Sequence, residues 1–294
     1  MGNGETTCFL PARDYDLAVT LASGQAFRWS QREGAWEGTV GAQWVRLRAV
    51  AEGIEAECAL PVKDWSWLQG YLQSDVNLAA ILLTFPQDDA MRASVGACGG
   101  LRLLRQDPWE CLASFILSST KQIVQIQQII RLLCARFGSL LPVPAGHEPA
   151  HAFPSAEQLA LASESELRAC KMGFRAPNLL TAARRVANGE LNLEFLRTCS
   201  LADARAALVS LPGVGDKIAN CVLLFAYGFP QAFPVDVWVQ KAIRQLYFPK
   251  RQSSPQRLRR FVESYFGPNA GYAQQYLFHY MRTRRQGSAT DSTP

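Results

Sequence analysis

Seven residues, Leu211-Pro212-Gly213-Val214-Gly215-Asp216-Lys217, constrain this chain more than any other stretch. Before them, apolar Leu201, Ala204, Ala207 and Leu208 recur near a 3.6-residue period, which predicts a helix over Ala202 to Val209. After them, Ile218 to Ala226 is strongly apolar and predicts a second helix, entered at Asp216. Pro212 stops the first helix, while Gly213 and Gly215 permit a tight turn and a close backbone approach. The stretch reads helix, hairpin, helix over residues 201–228. Its hairpin amides and the second helix's N-terminus form a cluster of N–H donors sized for a phosphate.

Lys217 falls in the first turn of the second helix, where the macrodipole disfavours an ammonium. A lysine whose charged form is disfavoured can act as a neutral amine nucleophile. Phe233-Pro234-Val235-Asp236-Val237 then places Asp236 nineteen positions further on. Alone, Asp236 reads as a helix N-cap and Lys217 as a solvated surface lysine. Beside the glycine hairpin, the pair reads as a nucleophile with a carboxylate partner.

The chain has 294 residues, 48% hydrophobic and 19% charged, enough for one large domain or two ordinary ones with ample core. Net charge is +5, unevenly spread. From residue 201 onward there are 12 Lys/Arg against 5 Asp/Glu, so the hairpin part is the basic part. That asymmetry suits a polyanionic partner. The eight cysteines are scattered without a CxxC pair and read as reduced, mostly core thiols. No membrane span or secretory signal is visible. Met1-Gly2-Asn3-Gly4-Glu5-Thr6 matches the loose N-myristoylation pattern, which is short enough to arise by chance.

Residues 1–95 are expected to form a small β-rich domain with helical additions. Leu17 to Leu21, Ala26 to Trp29, Trp36 to Val40 and Trp44 to Arg48 read as strands, the last three with a period of two. Trp65 to Leu72 and Leu78 to Thr84 read as helices. Residues 96–285 are expected to be mostly helical. Asp107-Pro108-Trp109-Glu110 is a helix start, with Asp as N-cap, Pro at the first position and Glu closing a capping box. Further helices are expected at about 123–137, 156–162, 164–170, 176–188, 237–247, 256–266 and 270–284. Pro249 to Pro255 reads as a basic turn, and the Ser/Thr/Gly-rich tail 286–294 as disordered. His147-Glu148-Pro149-Ala150-His151 matches the H-E-x-x-H zinc pattern. Pro149 between the histidines, with Pro142, Pro144 and Pro154 around them, breaks the helix that pattern needs, so an irregular loop is expected.

The run LPGVGDKIANCVLLFAYGFPQAFPVDVWV resembles the helix-hairpin-helix, Gly/Pro-rich loop and Asp signature of base-excision DNA glycosylases, the HhH-GPD superfamily. Ser23-Gly24-Gln25-Ala26-Phe27-Arg28-Trp29 resembles a segment of the 8-oxoguanine DNA glycosylases within it. Similarity extends over about residues 15 to 285. It implies an α+β fold: an N-terminal antiparallel β-sheet domain, TBP-like, followed by a mostly α-helical HhH-GPD glycosylase domain. It implies a bifunctional glycosylase and abasic-site lyase, with Lys217 and Asp236 catalytic. Gly24, Cys221, Gln274 and Phe278 match positions that hold the damaged base: the glycine carbonyl accepts from it, the glutamine reads its Watson–Crick edge, and the other two stack on its faces. Gly213, Val214 and Gly215 match the phosphate-binding hairpin, while Phe174 and Arg175 match a wedge and a contact to the orphaned base. No four-cysteine iron–sulfur loop follows Cys221.

Some positions depart from the family pattern. Thr120-Lys121-Gln122 stand where eukaryotic members carry an asparagine run near the orphaned cytosine. Gln125 replaces a second arginine, Trp238 a phosphate-contacting histidine, and Phe174 a tyrosine. A relaxed preference for the base opposite the lesion is therefore expected, as in bacterial-type members. The expectation is a base-excision repair enzyme that flips 8-oxoguanine from duplex DNA, removes it and cleaves the strand by β-elimination. No cofactor is expected beyond a structural cation at the hairpin, and no partner beyond damaged double-stranded DNA. The protein would be a monomer away from membranes, in the cytoplasm at the nucleoid if bacterial or in the nucleus if eukaryotic. Two alternatives stay open: an alkylated-base glycosylase of the same fold, and a non-catalytic hairpin DNA-binding module.

Overall fold

A computed structural model describes residues 4–249 and 254–290. The myristoylation pattern and the basic turn therefore lie partly outside the described residues, at residues 1–3 and 250–253. The chain begins β1 (Glu5–Pro11), α1 (Leu17–Ala22), β2 (Ser30–Arg32), β3 (Ala35–Val40), β4 (Gln43–Val50), β5 (Gly53–Val62) and α2 (Ser66–Leu72). The five strands form one antiparallel sheet in the order β1-β5-β4-β3-β2. Val45 pairs with Cys58 and Leu47 with Ala56, so alternate residues send apolar side chains to one face. That face buries against Leu17 and Leu21 of α1 and Leu68 and Leu72 of α2. Each fully buried leucine contributes about 1.5–3 kcal/mol.

Two expected strands are not strands. Leu17 to Leu21 is helical because Asp16 accepts from the Val19 amide at 2.8 Å as an N-cap, and Leu17, Thr20 and Leu21 then share one buried face. Ala26 to Trp29 is a bend: Phe27 enters the helical core while Trp29 enters the sheet core. Its alternation comes from serving two cores. β1 and β5 lie where no strand is predicted.

The helical part comprises α3 (Leu78–Leu82), α4 (Asp89–Ala97), α5 (Pro108–Leu117), α6 (Ile123–Phe137), β6 (Leu140–Leu141), β7 (Ala150–His151), α7 (Ala156–Ala160), α8 (Glu164–Leu167), α9 (Ala176–Ala187), α10 (Leu201–Val209), α11 (Asp216–Val222), α12 (Val237–Ala242), α13 (Pro255–Tyr265) and α14 (Ala270–Thr290). Leu78 and Met91 of α3 and α4 bury in the helical core, although they precede residue 95. Central α5 is buried from Cys111 through Leu117. Asp107 caps it as predicted, accepting from the Glu110 amide at 2.8 Å. The Glu110 carboxylate, however, meets Arg28 at 3.3 Å instead of closing a capping box, and so ties α5 to the sheet side.

The loop 138–155 holds the two-residue strands β6 and β7, paired with each other. His147 leaves it to lie 3.0 Å from Glu37 and edge-on to Trp44, so the H-E-x-x-H residues share no helix. α11 and α12 each run on as a wider π-type turn, over Leu223–Tyr227 and Ile243–Tyr247. α14 continues to Thr290, so residues 286–290 of the expected disordered tail are helical in backbone; 291–294 lie outside the described residues. Among the described residues no helix is long and apolar enough to cross a membrane.

Candidate active site

The six residues expected to carry catalysis and base recognition line one cleft of about 1140 Å³. Lys217 and Cys221 reach it from successive turns of α11, Asp236 from the entry to α12, Gln274 and Phe278 from α14, and Gly24 from the bend after α1. Thr120, Lys121, Gln122, Gly215 and Trp238 line it too.

The half-buried Lys217 side chain extends over the Phe115 ring, 5.2 Å from its centroid, and its amine donates to the Ser118 hydroxyl at 3.2 Å. Ser118 in turn donates to the Phe115 carbonyl at 2.7 Å, which orients its lone pairs toward the lysine. Asp236 does cap α12, accepting from the Val239 amide at 2.8 Å. It also lines the cleft, so the plain role and the functional position coexist. Burial raises the Asp236 pKa above its usual value, and the Val239 amide and the Lys217 charge work against that rise. Among the described residues the two form no salt bridge. The Cys221 thiol is pushed up to about 11, chiefly by burial and against the pull of Lys217, so it is a neutral, polarisable surface at physiological pH.

The bend around Gly24 has a specific hydrogen-bond pattern. The Ala22 carbonyl accepts from Arg282, that of Ser23 from Gln275 at 3.0 Å, and that of Gln25 from Gln106 at 2.6 Å. The Gln25 side chain donates to the Thr20 and Arg102 carbonyls and accepts from the Leu104 amide at 2.8 Å. Of the four carbonyls from Ala22 to Gln25, that of Gly24 alone has no donor among the described residues. Gly24 adopts φ +80°, and a Cβ there would meet Ile123, Arg282 and Phe278 at 2.9, 3.1 and 3.4 Å. The left-handed backbone calls for glycine, and a Cβ would in addition crowd three side chains of the cleft. Gln274, 3% exposed, leaves its side-chain carbonyl oxygen without a partner. Buried acceptors of this kind call for a donor from a ligand or water.

The expected DNA-contacting residues lie partly elsewhere. Gly213 has φ +77° and packs against Asn178, so its side of the hairpin requires glycine. Gly215 has ordinary extended backbone, contrary to the turn role expected of it; its missing side chain instead leaves open space beside the helix entry. Val214 is buried, and its amide donates to Leu211 within the hairpin, so it braces the turn from inside. Phe174 is 61% exposed, against a core-packing role. Arg175 is 3% exposed and donates to the carbonyls of Ser119 and Met172 and the hydroxyl of Thr120, with its guanidinium 4.2 Å from the Phe174 ring centroid. Thr120 takes φ +56°, an uncommon conformation outside glycine, in the loop that lines the cleft.

Ser118, Phe115, Gln275 and Arg282 were not predicted from sequence as site residues. Arg282 had a usable signal, since it stands four positions after Phe278 and shares its helix face. Ser118 had none, because only the packing of α5 on α11 brings it to Lys217. Among the described residues no three His, Cys, Asp or Glu side chains converge as a metal-binding group.

Comparison with known proteins agrees with this geometry. Residues 8–112 match the model of the 8-oxoguanine DNA glycosylase N-terminal domain, and residues 113–268 that of the HhH-GPD superfamily base excision DNA repair proteins. The chain is 29% identical to a probable N-glycosylase/DNA lyase of Methanothermobacter thermautotrophicus, covering 93% of this chain and 95% of that protein. It is 32% identical to an N-glycosylase/DNA lyase of Arabidopsis thaliana, over 89% of this chain and 76% of the relative. Among solved structures it is similar, with TM-score 0.87 and 30% identity, to the Clostridium acetobutylicum 8-oxoguanine glycosylase/lyase in complex with duplex DNA containing cytosine opposite 8-oxoguanine, covering 95% and 98% of the two chains. A sheet domain joined to a helical hairpin domain is thus matched along nearly the whole chain, which belongs to the 8-oxoguanine N-glycosylase/DNA lyases of the HhH-GPD superfamily.

Proposed function

We propose that this enzyme removes 8-oxoguanine from duplex DNA and then nicks the abasic strand, using the cleft residues in defined roles. The observation that carries the reading is the unengaged Gly24 carbonyl in the wall of the cleft that also holds Lys217 and Asp236. Guanine N7 is an acceptor in the major groove, whereas 8-oxoguanine carries a hydrogen there. A fixed carbonyl accepts from the lesion and repels the normal base, a difference of about 1–3 kcal/mol. The flipped base stacks between Phe278 and Cys221, and Gln274 reads its Watson–Crick edge.

Lys217, as the free amine, attacks the sugar C1′. The electron pair of the glycosidic bond leaves with the base, which takes up a proton. Asp236, as the anion, stabilises the positive charge that develops at the sugar. Loss of the amine proton and opening of the sugar ring give a Schiff base. That imine accepts the electrons released when a C2′ proton is removed, and the 3′-phosphate departs. No redox group or catalytic metal has a step in this sequence. The hairpin at Gly213 and Gly215 holds the DNA backbone, directly or through a structural cation. Phe174 enters the stack vacated by the lesion, and Arg175 turns from its protein acceptors to the orphaned base. The protein works as a monomer, at the nucleoid of a bacterial cell or in a eukaryotic nucleus.

Borohydride trapping on a duplex with one 8-oxoguanine tests the reading. Wild type should give a covalent protein–DNA band, and Lys217→Gln should give none. Release of 3-methyladenine with no trapped 8-oxoguanine duplex would move the specificity to alkylated bases. DNA binding with neither product would leave a binding module.

A further inference from the structure

Arg282 stands one turn beyond Phe278 and two beyond Gln274 on α14, at the floor of the cleft but outside the residues assigned to chemistry. Its guanidinium touches three things at once. It donates to the Ala22 carbonyl at the end of α1, where helix carbonyls lack intrahelical partners and a cation is favoured. It lies 5.6 Å from the centroid of the Phe278 ring, a cation–π position. One of its nitrogens would be 3.1 Å from a Cβ on Gly24. Among the described residues it has no carboxylate partner, and its Nε is buried without an acceptor. Burial also lowers its pKa. A partly buried, unpaired guanidinium opposes folding, so stability alone does not account for it.

We propose that Arg282 is a positioning residue for lesion recognition: it locks the Gly24 bend onto the Phe278 stacking platform, so that the carbonyl that accepts from the lesion is held at a fixed distance from the ring on which the lesion lies. The reading rests on the assignment of Gly24 and Phe278 given above. A hydrogen bond tolerates only a few tenths of an ångström around 2.7–3.2 Å. Gly24 supplies the acceptor from one element and Phe278 the stacking plane from another, and discrimination depends on their spacing. Gln275, the neighbour of Gln274, pins the Ser23 carbonyl from the same helix at 3.0 Å. One face of α14 thus both reads the base and holds the loop that judges it. Arg282 forms no hydrogen bond or ion pair with Lys217, Asp236 or Ser118, and an abasic site presents no base to judge. Its effect is therefore confined to substrates that still carry the lesion.

The test compares wild type, Arg282→Met, which keeps the stem, and Arg282→Lys, which keeps the charge and one donor nitrogen in place of the planar fork. Three quantities are measured: single-turnover excision of 8-oxoguanine, relative binding of 8-oxoguanine and guanine duplexes, and nicking of a preformed abasic duplex. Arg282→Met should lose about tenfold or more in excision, and its preference for the lesion should narrow by a similar factor. Its abasic nicking should stay close to wild type, and Arg282→Lys should fall between. A parallel loss of excision and nicking would overturn the proposal by pointing to general damage, as would an unchanged preference for the lesion. A wild-type enzyme without preference for 8-oxoguanine would overturn the reading of Gly24 itself, and the lock with it.

Discussion

The Lys217 amine donates to the Ser118 hydroxyl at 3.2 Å, across the contact between α11 and α5. Ser118 is the residue after the last of α5, and its hydroxyl is committed to the Phe115 carbonyl. The proposed nucleophile is thus held by a hydroxyl from another helix, with no hydrogen bond or ion pair to Asp236 among the described residues. Ser118→Ala should slow borohydride trapping about two- to tenfold, the value of one neutral hydrogen bond, while leaving DNA affinity unchanged. Trapping time courses alongside gel-shift titrations measure both.

Asp236→Asn should separate catalysis from folding. Asparagine caps helices about as well as aspartate, so α12 should persist. Excision should fall about 100-fold or more, because the developing charge loses its anion. The folded-state pKa of Asp236 is raised, so the native state holds this proton more tightly than the unfolded chain does. Stability from this group is therefore full below the unfolded pKa and is lost as pH rises through the folded one. The variant escapes that loss, and its neutral-pH melting temperature should equal or exceed that of wild type. By the same shift, the acid limb of the wild-type excision profile should lie above the ordinary aspartate value of 3.8.

Gly24→Ala should damage recognition before it damages folding. The methyl would meet Ile123 and Arg282 at 2.9 and 3.1 Å, and the left-handed backbone adds about 1–2 kcal/mol of strain for a residue with a Cβ. The Ile123 and Arg282 tips can give way, but the backbone strain is relieved only by a shift of the bend, and the carbonyl shifts with it. Excision of 8-oxoguanine should drop at least tenfold, while nicking of a preformed abasic site is retained. Equal losses in both assays would contradict this.

Preference for the opposite base should be weak. Gln125 caps α6, its side-chain oxygen accepting from the Gln122 amide at 3.2 Å, and so does not replace an arginine aimed at the orphaned base. Arg175 alone remains of that set, and it is engaged with Ser119, Thr120 and Met172. Rates on 8-oxoguanine opposite each of the four bases should agree within about tenfold, since Arg175 must exchange protein acceptors for the base and nets only about 1 kcal/mol. A hundredfold preference for cytosine would sink this.

Gly213→Ala should weaken DNA binding. The added methyl runs into the Asn178 side chain at φ +77°. The turn should open and the phosphate site with it. Combining it with Asn178→Ala should recover the part of the loss due to the clash but not the part due to backbone strain. Dissociation constants at fixed salt for the two single variants and the pair measure this.

Most of the helical part was legible because its signals are local. Asp107-Pro108 marks the start of α5, the apolar period marks α6, and Pro212 with Gly213 separates α10 from α11. The sheet was harder to read. β5 carries Glu55, Glu57 and Pro61, which mask the buried row Ile54, Ala56 and Cys58, and β1 is mostly exposed. The segment Ala26 to Trp29 misled because alternation on a bend that feeds two cores looks the same as alternation on a strand.

The sequence by itself determined the family and the residues proposed to carry its chemistry. A hairpin with a lysine at its exit and an aspartate nineteen positions later is written in consecutive residues, and so are the Ser23-Gly24-Gln25 bend and the Gln274/Phe278 helix face. Only the tertiary structure decided which groups complete the site. Ser118 reaches Lys217 across ninety-nine positions, and Arg282 reaches Ala22 across two hundred and sixty. It also decided that, among the described residues, the Gly24 carbonyl is left open between occupied neighbours, because Arg282, Gln275 and Gln106 arrive from distant elements to fill the carbonyls of Ala22, Ser23 and Gln25. Backbone propensity and side-chain period act over a few residues, whereas a vacant acceptor is defined by which other acceptors the whole chain has already filled.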